Sequence, residues 1–306
     1  MTRLLVIVGP TASGKSALAL DLAQSAGADI LSADSQQVYR GMDIGTGKLP
    51  AAERALVPHH LIDVVDPDDT MTAARFVSLA DAAIARIRLS TPERPIIVAG
   101  GTGLYVRALL FGLFAGPPAD AALRSRLSAQ GAPALHARLR EVDPEAAARI
   151  QPNDLRRLIR ALEVFELTGR PISQHQREHD VRHAPPRYPA RWIGLAPPRA
   201  ELAARIEARV DGMFAAGLEG EVRGLAERYP LDLRAFDAIG YRELRDVVRR
   251  DLDVEAARAQ MKAATRRYAR RQLGWFRSEP TITWYNAPGA VDRTSHLEWL
   301  RAGRDE

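Results

Sequence analysis

The chain opens on RLLVIVG, a short apolar run, breaks at GPTASGKS, and resumes as SALALDLAQSAG, where apolar positions recur at helical spacing up to Gly27. A continuous apolar run of this length reads as a strand buried on both faces, and a glycine closing a helical pattern marks its C-cap. The alternation then repeats. ADILS predicts a second strand and HLIDVV a third. AARFVSLADAAIARIRL has the period of a helix, RPIIVAGG is a buried strand ending in glycines, and GLYVRALLFGL returns to helix. Strands alternating with helices predict an α/β protein with a parallel sheet covered by helices on both faces.

The pattern changes at FAGPPAD. From about Ala119 to Glu178 no strand signal appears, and the stretch is rich in alanine and arginine at helical spacing. HAPPRYP supplies a proline-rich hinge, RWIGLAPP predicts another strand, long helices follow through Arg277, and TITWYN offers a last strand. The economical organisation is an α/β core, 1–115 and 190–306, interrupted by an all-helical insertion at 116–189.

Composition narrows the class. With 306 residues, 46% hydrophobic and 26% charged, the chain has the make-up of a globular enzyme. It has no cysteine, which excludes disulfides, thiolate metal sites and cysteine nucleophiles. The apolar start is too short for a signal peptide, and no apolar run approaches the roughly 18 residues of a membrane span. A cytoplasmic protein away from membranes is expected, monomeric by default. The net charge of +5 makes a polyanionic partner a candidate. Of 43 basic residues only Lys15, Lys48 and Lys262 are lysines. In a chain that otherwise writes arginine, a lysine inside a candidate site marks a place for a compact point charge. Lys15 meets that description, Lys48 stands open, and Lys262 reads as incidental.

The loop Gly9, Pro10, Thr11, Ala12, Ser13, Gly14, Lys15, Ser16 satisfies G-x-x-x-x-G-K-[ST] between a strand and a helix, the context this phosphate-binding motif requires. Backbone N–H groups and the helix N-terminus converge on phosphate oxygens, Lys15 neutralises charge, and the Ser16 hydroxyl is placed to ligate Mg²⁺. A nucleotide hydrolase of this type wants an acid at the end of an apolar strand. PIIVAGG has none, and HLIDVV offers only Asp63 in mid-run. Asp34, directly beyond the second strand, faces the same crevice, because ligands of open parallel sheets bind beyond the carboxyl ends of the strands. Three roles fit it: organising Mg²⁺, capping a helix, or abstracting a proton. Thr102, after Gly100 and Gly101, opens a helix with a hydroxyl toward that crevice or as its N-cap.

Positive charge collects in three stretches. NDLRRLIRALEVFELTG places Arg156, Arg157 and Arg160 beside the apolar Leu155, Leu158, Ile159 and Leu162. TRRYARRQLGWFR interleaves Arg266, Arg267, Arg270 and Arg271 with Tyr268, Trp275 and Phe276, and IGYRELRDVVRR sets Arg242 beside Tyr241. Arrays of this kind meet phosphate backbones, and aromatic faces stack unpaired bases. Solvated helix faces in an arginine-rich chain are the bland alternative. Three arrays around one phosphate site favour a folded nucleic-acid substrate.

GPTASGKS, SADSQQVYRGMDIGTGK, PHHLIDVVDP, AGGTGLYVRALLFG, NDLRRLIRALEVFELTG and IGYRE stand in the order seen in bacterial tRNA dimethylallyltransferases, and the resemblance runs from about Leu4 to Trp275. It implies transfer of a dimethylallyl group from dimethylallyl diphosphate to N6 of the adenosine 3′ of the anticodon, in tRNAs reading codons that begin with U. The phosphate loop would then hold a leaving diphosphate with Mg²⁺, which suits the missing strand-end acid. The resemblance makes Asp34 the base that takes the N6 proton, and Lys15, Thr102 and Arg223 contacts to the diphosphate. It sets Asp34, Ser35, Gln36 and Gln37 against the tRNA. The same holds for Arg124, for Arg156, Arg157, Leu158, Ile159 and Arg160, and for Asp237, Ala238, Ile239, Gly240, Tyr241 and Arg242. The insertion would clasp the anticodon stem-loop, and the target base would leave its stack. Asp237 departs from the pattern, since the family commonly has a basic residue there; Arg234 stands nearby. Competing readings are a small-molecule P-loop kinase, a prenyltransferase of free adenine nucleotides, and a nucleic-acid-binding protein whose loop is a relic.

Overall fold

The structure is a computed structural model that describes residues 2–114, 116–179 and 185–302. In chain order its elements begin β1 (Leu4–Val8), α1 (Lys15–Ala26), β2 (Asp29–Ser32), α2 (Ala51–Arg54), β3 (His59–His60), α3 (Ala73–Ser90), β4 (Ile96–Gly100) and α4 (Gly103–Phe111). There follow α5 (Ala121–Val142), α6 (Pro144–Arg149), α7 (Leu155–Thr168), α8 (Ile172–Glu178), β5 (Ala190–Leu195), α9 (Arg199–Ala215) and α10 (Leu218–Ala226). The chain ends in α11 (Tyr241–Val248), α12 (Val254–Phe276), β6 (Ile282–Tyr285) and α13 (Arg293–Ala302).

The chain divides into two compact units, Met1–Leu110 with Pro186–Glu306, and Phe111–Pro185. In the first, six strands form one parallel sheet in the order β3-β2-β4-β1-β5-β6. The α/β expectation holds, and the reason is visible in β1. Leu5 and Ile7 pack with Leu18, Leu22 and Ala23 of α1 and Leu300 of α13 on one face. Leu4, Val6 and Val8 point to the other face and are equally buried, so the run is apolar at every position. Val8 pairs with Gly100 of β4 and Gly194 of β5, which brings the turns after these strands to one edge of the sheet. No helix among the described residues is long and apolar enough to cross a membrane.

The third predicted strand is corrected. Only the first residue of HLIDVV, His60, is extended, continuing β3 from the preceding His59, because Leu61 (φ 65°) and Asp63 (φ 56°) take left-handed backbone that ends the run. Lys48 explains the bend. Its Nζ donates to Tyr39 O at 2.6 Å, Asp43 Oδ1 at 2.6 Å and Asp63 Oδ1 at 2.5 Å, while Arg54 holds the other Asp63 oxygen at 2.9 Å. A lysine ammonium has three donors, and here all three are spent in tying the loop 39–48 to Asp63. Lys48 is therefore a structural residue.

In the second unit, Leu123, Leu127, Leu135, Leu139, Leu158 and Leu162 build a core between α5 and α7. The α5 span is broken at Gly131 (φ 76°, ψ 158°), ahead of Pro133. Of the proline-rich hinge, His183 and Ala184 lie outside the described residues. The second half of the hinge is pinned within the first unit: Arg187 N–H donates to Leu110 O, and Arg187 and Tyr188 both bond Asp81.

Candidate active site

The phosphate loop leaves β1 and enters α1 through Gly14, which caps the helix without a side chain. The first-turn amides of α1 thus open toward the carboxyl edge of the sheet, where the helix dipole favours an anion. Beside them lies a cavity of about 500 Å³. Thr11, Ala12, Gly14, Lys15 and Ser16 form one wall, and Gly9, Pro10 and Ser13 are buried behind it. Lys15 Nζ donates to Pro10 O at 3.3 Å. Burial pulls its pKa down to about 8, with the Asp34 carboxylate raising it and the Arg209 guanidinium lowering it further. A lysine in that state is a cation waiting for a partner.

Asp34, Ser35, Gln36 and Gln37 line the cavity from the turn after β2. One carboxylate oxygen, Oδ1, accepts from Gln36 N–H at 2.9 Å and Gln37 N–H at 3.3 Å, an Asx turn that fixes the side chain. Among the described residues Oδ2 has no such partner, so Asp34 caps its own turn and still presents a free oxygen. Thr102 does not line the cavity. Its hydroxyl accepts the Ser35 N–H at 3.0 Å, and only its carbonyl serves the start of α4, accepting from Tyr105 N–H. It steers the Asp34 turn from behind.

Of four further cavity residues, sequence reasoning passes over Arg209 and Gln272 and reads Tyr268 and Arg271 only as part of a basic, aromatic array. Arg209 of α9 sits beside the buried stripe Leu202, Ile206, Val210 and Met213, at the spacing that brings it to the cavity with Val210 and Met213. Its pKa is lowered by burial and raised by Asp34. Gln272 is the one uncharged polar side chain near the end of the buried face of α12. Its Oε1 accepts from Thr11 N–H at 2.9 Å and its Nε2 donates to Gly101 O at 2.9 Å, tying the phosphate loop to the turn after β4. Tyr268 bonds Thr102 and Gln272; burial, then the Asp34 carboxylate, raises its pKa and keeps the phenol protonated. Arg271 stands over the Tyr268 ring at 5.7 Å. For Arg209 and Gln272 the readable clue was a polar residue beside or within a buried helix stripe.

Several expected residues stand elsewhere. Arg223 does not reach the cavity: it pairs with Glu219 one turn back on α10 at 2.7 Å and is half exposed, whereas Arg209 lines the cavity. Asp237, Ala238, Ile239 and Arg242 line the cavity, with Asp237 held by Arg245 at 3.3 Å. Gly240 is buried behind them, and Tyr241 is fully buried with its hydroxyl on Glu221, so Tyr241 offers no face to a base. Phe276 is likewise buried, edge-to-face with Trp275.

In the helical unit, Arg156 and Arg157 are exposed on α7, and Arg157 pairs with Asp154. Leu158 is 0% exposed, so its side chain does not face outward, and Ile159 is partly buried against the same core. Arg124 and Arg160 converge on the buried Glu163, Arg124 through two bonds at 2.7 and 2.9 Å and Arg160 through one at 2.7 Å. Burial alone would raise the Glu163 pKa, but these bonds and the Asp120 N–H bring it down to about 2.

The family profile described as IPP transferase matches residues 37–279. A tRNA dimethylallyltransferase of Anaeromyxobacter sp. (strain Fw109-5) is 54% identical over 296 residues, which is 95% of this chain and 97% of that protein. The full-length tRNA isopentenylpyrophosphate transferase of Bacillus halodurans has a solved structure that is 39% identical, with TM-score 0.71 over 99% of this chain and 96% of that one. A eukaryotic dimethylallyltransferase acting on tRNA, 26% identical, superposes with TM-score 0.80 over 99% of this chain and 77% of that one. With a profile that covers most of the chain and relatives of this identity along nearly its whole length, the chain belongs to the IPP transferase family.

Proposed function

We propose that this chain transfers the dimethylallyl group of dimethylallyl diphosphate to N6 of the adenosine 3′ of the anticodon, in tRNAs that read codons beginning with U. The observation that carries the reading is that the phosphate loop and Asp34 border one cavity, with the segment 237–242 forming another part of its wall. Family membership supports it.

The chemistry follows from that placement. The bond between the allylic carbon and the diphosphate oxygen breaks, and negative charge grows on the leaving diphosphate. Lys15, the loop amides and Arg209 border the cavity and would stabilise that charge electrostatically. Adenine N6 is a weak nucleophile because its lone pair is delocalised into the ring. As the N–C bond forms, the N6 proton passes to the free oxygen of Asp34. Thr102, through Ser35, holds the turn in place, and Tyr268 bonds Thr102 in turn. Val210, Met213 and Met261 give the cavity apolar surface suited to a prenyl chain.

Magnesium fits this site as a companion of the substrate. Among the described residues no group of three or more His, Asp or Glu could hold a metal alone. Mg²⁺ commonly keeps several waters and binds through substrate phosphates with few protein ligands. The Ser16 hydroxyl would serve as the protein ligand, and the ion would add positive charge against the diphosphate. Asp34, Gln36, Gln37 and Arg242 would meet the anticodon loop. Arg156 and Arg157 of the helical unit would meet the stem backbone, and a monomer suffices for this.

The test is direct. The protein is incubated with dimethylallyl diphosphate, Mg²⁺ and either tRNA or AMP. Prenylated adenosine is expected in tRNA alone. Product formed only from AMP, or turnover of ATP to a phosphorylated metabolite, overturns the reading.

A further inference from the structure

The loop 43–47 in GMDIGTGK borders the cavity through Gly45, Thr46 and Gly47, yet its successive N–H groups point away from the cavity toward α10. There they meet one carboxylate. Glu221 Oε2 accepts from Asp43 N–H at 3.0 Å and Ile44 N–H at 2.8 Å. Its Oε1 accepts from Gly45 N–H at 3.3 Å and from the Tyr241 hydroxyl at 2.5 Å. Successive amides converging on an anion make a strong, directional anchor.

Two carbonyls of the same loop, those of Thr46 and Gly47, meet two cavity side chains instead. Gln37 Nε2 donates to Thr46 O and Gly47 O at 3.4 Å each, and Arg209 Nη2 donates to Gly47 O at 3.5 Å. Space is tight on both sides. A Cβ on Gly45 would fall 2.5 Å from the Tyr241 ring, and one on Gly47 would fall 1.6 Å from Arg209 Nη2. Tyr241 in turn opens α11, next to Asp237, Ala238, Ile239 and Arg242 of the cavity wall.

We infer that Glu221 is a positioning residue of the transfer reaction, which clamps the loop 43–47 and Tyr241 from outside so that Gln37 and Arg209 are held in register with the cavity. The inference rests on the transfer reading above. It also gives GLEGEVRGL its meaning: the residue of this stretch that acts on the site is Glu221, while Arg223 two positions later faces solvent.

Glu221→Gln keeps the shape but turns an amide NH₂ against donors it cannot accept from. With dimethylallyl diphosphate and tRNA, kcat is expected to fall ~10–100-fold, the scale of a small misplacement near a reacting centre, with KM for tRNA changed less than about threefold. Tyr241→Phe removes one donor of four and should lose ~3–10-fold in kcat on the same criterion. The double variant should lose less than the product of the single losses, because both act on one anchor. Wild-type kcat in Glu221→Gln, or a loss seen wholly in KM or in thermal stability, overturns the inference. If Glu221→Gln does not fold, Tyr241→Phe decides, and an unchanged kcat overturns it. Amide exchange at Asp43, Ile44 and Gly45, measured on the same proteins, separates the two levels. A wild type that gives no transfer to tRNA sinks the transfer reading, while faster exchange in Glu221→Gln still reports the clamp.

Discussion

The Thr102 hydroxyl accepts the backbone N–H of Ser35 at 3.0 Å, so the residue that follows the glycines of β4 governs the turn that carries Asp34. The two segments are 67 residues apart in the chain and meet because β2 and β4 are neighbours in the sheet.

Thr102→Val keeps the side-chain shape and removes the acceptor, leaving the Ser35 N–H without a partner in a part-buried site. An unmade hydrogen bond of this kind costs about 1–3 kcal/mol. The expected result is a kcat reduced ~10-fold or more with a thermal midpoint lowered by a few degrees, and near-normal behaviour in Thr102→Ser. Steady-state kinetics and thermal unfolding of the two variants check it; a Thr102→Ser variant as poor as Thr102→Val would point to the lost methyl instead.

Gln272 makes a related link, from the phosphate loop at Thr11 to the turn at Gly101. Gln272→Leu removes both bonds and strands a donor and an acceptor in a buried place. A stability loss of about 2–4 kcal/mol is expected from two such groups, together with weaker binding of diphosphate, because the Thr11 amide loses its anchor. Gln272→Glu retains the acceptor for Thr11 but sets a carboxylate oxygen against the Gly101 carbonyl, so it should rescue little. Urea unfolding and calorimetric titration with Mg²⁺ and diphosphate give both quantities.

Glu163 in the helical unit holds Arg124 and Arg160 and has its pKa brought down to about 2 against an ordinary 4.5. Its folded pKa is lowered, so its contribution is fully present above pH 4.5 and is lost as pH falls from there toward 2. The difference corresponds to about 3 kcal/mol. Glu163→Gln should destabilise the protein at neutral pH, since it leaves two arginines facing a neutral amide. The gap between wild type and variant should close between pH 4.5 and 2. Denaturant unfolding at a series of pH values tests this, and a gap that persists at pH 2 would show that packing, rather than charge, is what the substitution removed.

How far the sequence reached follows from which signals are local. Strands β1, β4 and β5 and the phosphate loop announce themselves in contiguous runs, since a fully buried strand is apolar at every position and the loop needs its glycines in fixed places. Asp34 could be placed by the sheet rule alone. What the sequence could not show was partner choice. Arg209 and Arg223 both lie on amphipathic helices; only the fold turns the first inward and lets the second pair with Glu219. Tyr241 and Phe276 look like stacking platforms in a basic stretch, and tertiary packing buries both. HLIDVV has strand composition, but three acceptors gathered around Lys48 override it.

Lys15 allows the empty site to be told from the occupied one by protons. Burial lowers its pKa to about 8 from an ordinary 10.5. The unfolded chain keeps that proton up to 10.5, so between about pH 8 and 10.5 this group makes the empty protein more stable as pH rises. A diphosphate placed against the ammonium favours the charged form and raises the pKa again. Binding near pH 8 should therefore take up about half a proton through Lys15, falling toward none below about pH 7. Calorimetric titration of Mg²⁺ and diphosphate in two buffers of different ionisation enthalpy measures that uptake. Lys15→Arg supplies the control, since a guanidinium stays charged throughout this range and should show less uptake at pH 8 by the same amount. Equal uptake in the two proteins would mean that Lys15 is already fully charged in the empty cavity, and that its ammonium meets the diphosphate without a change of protonation.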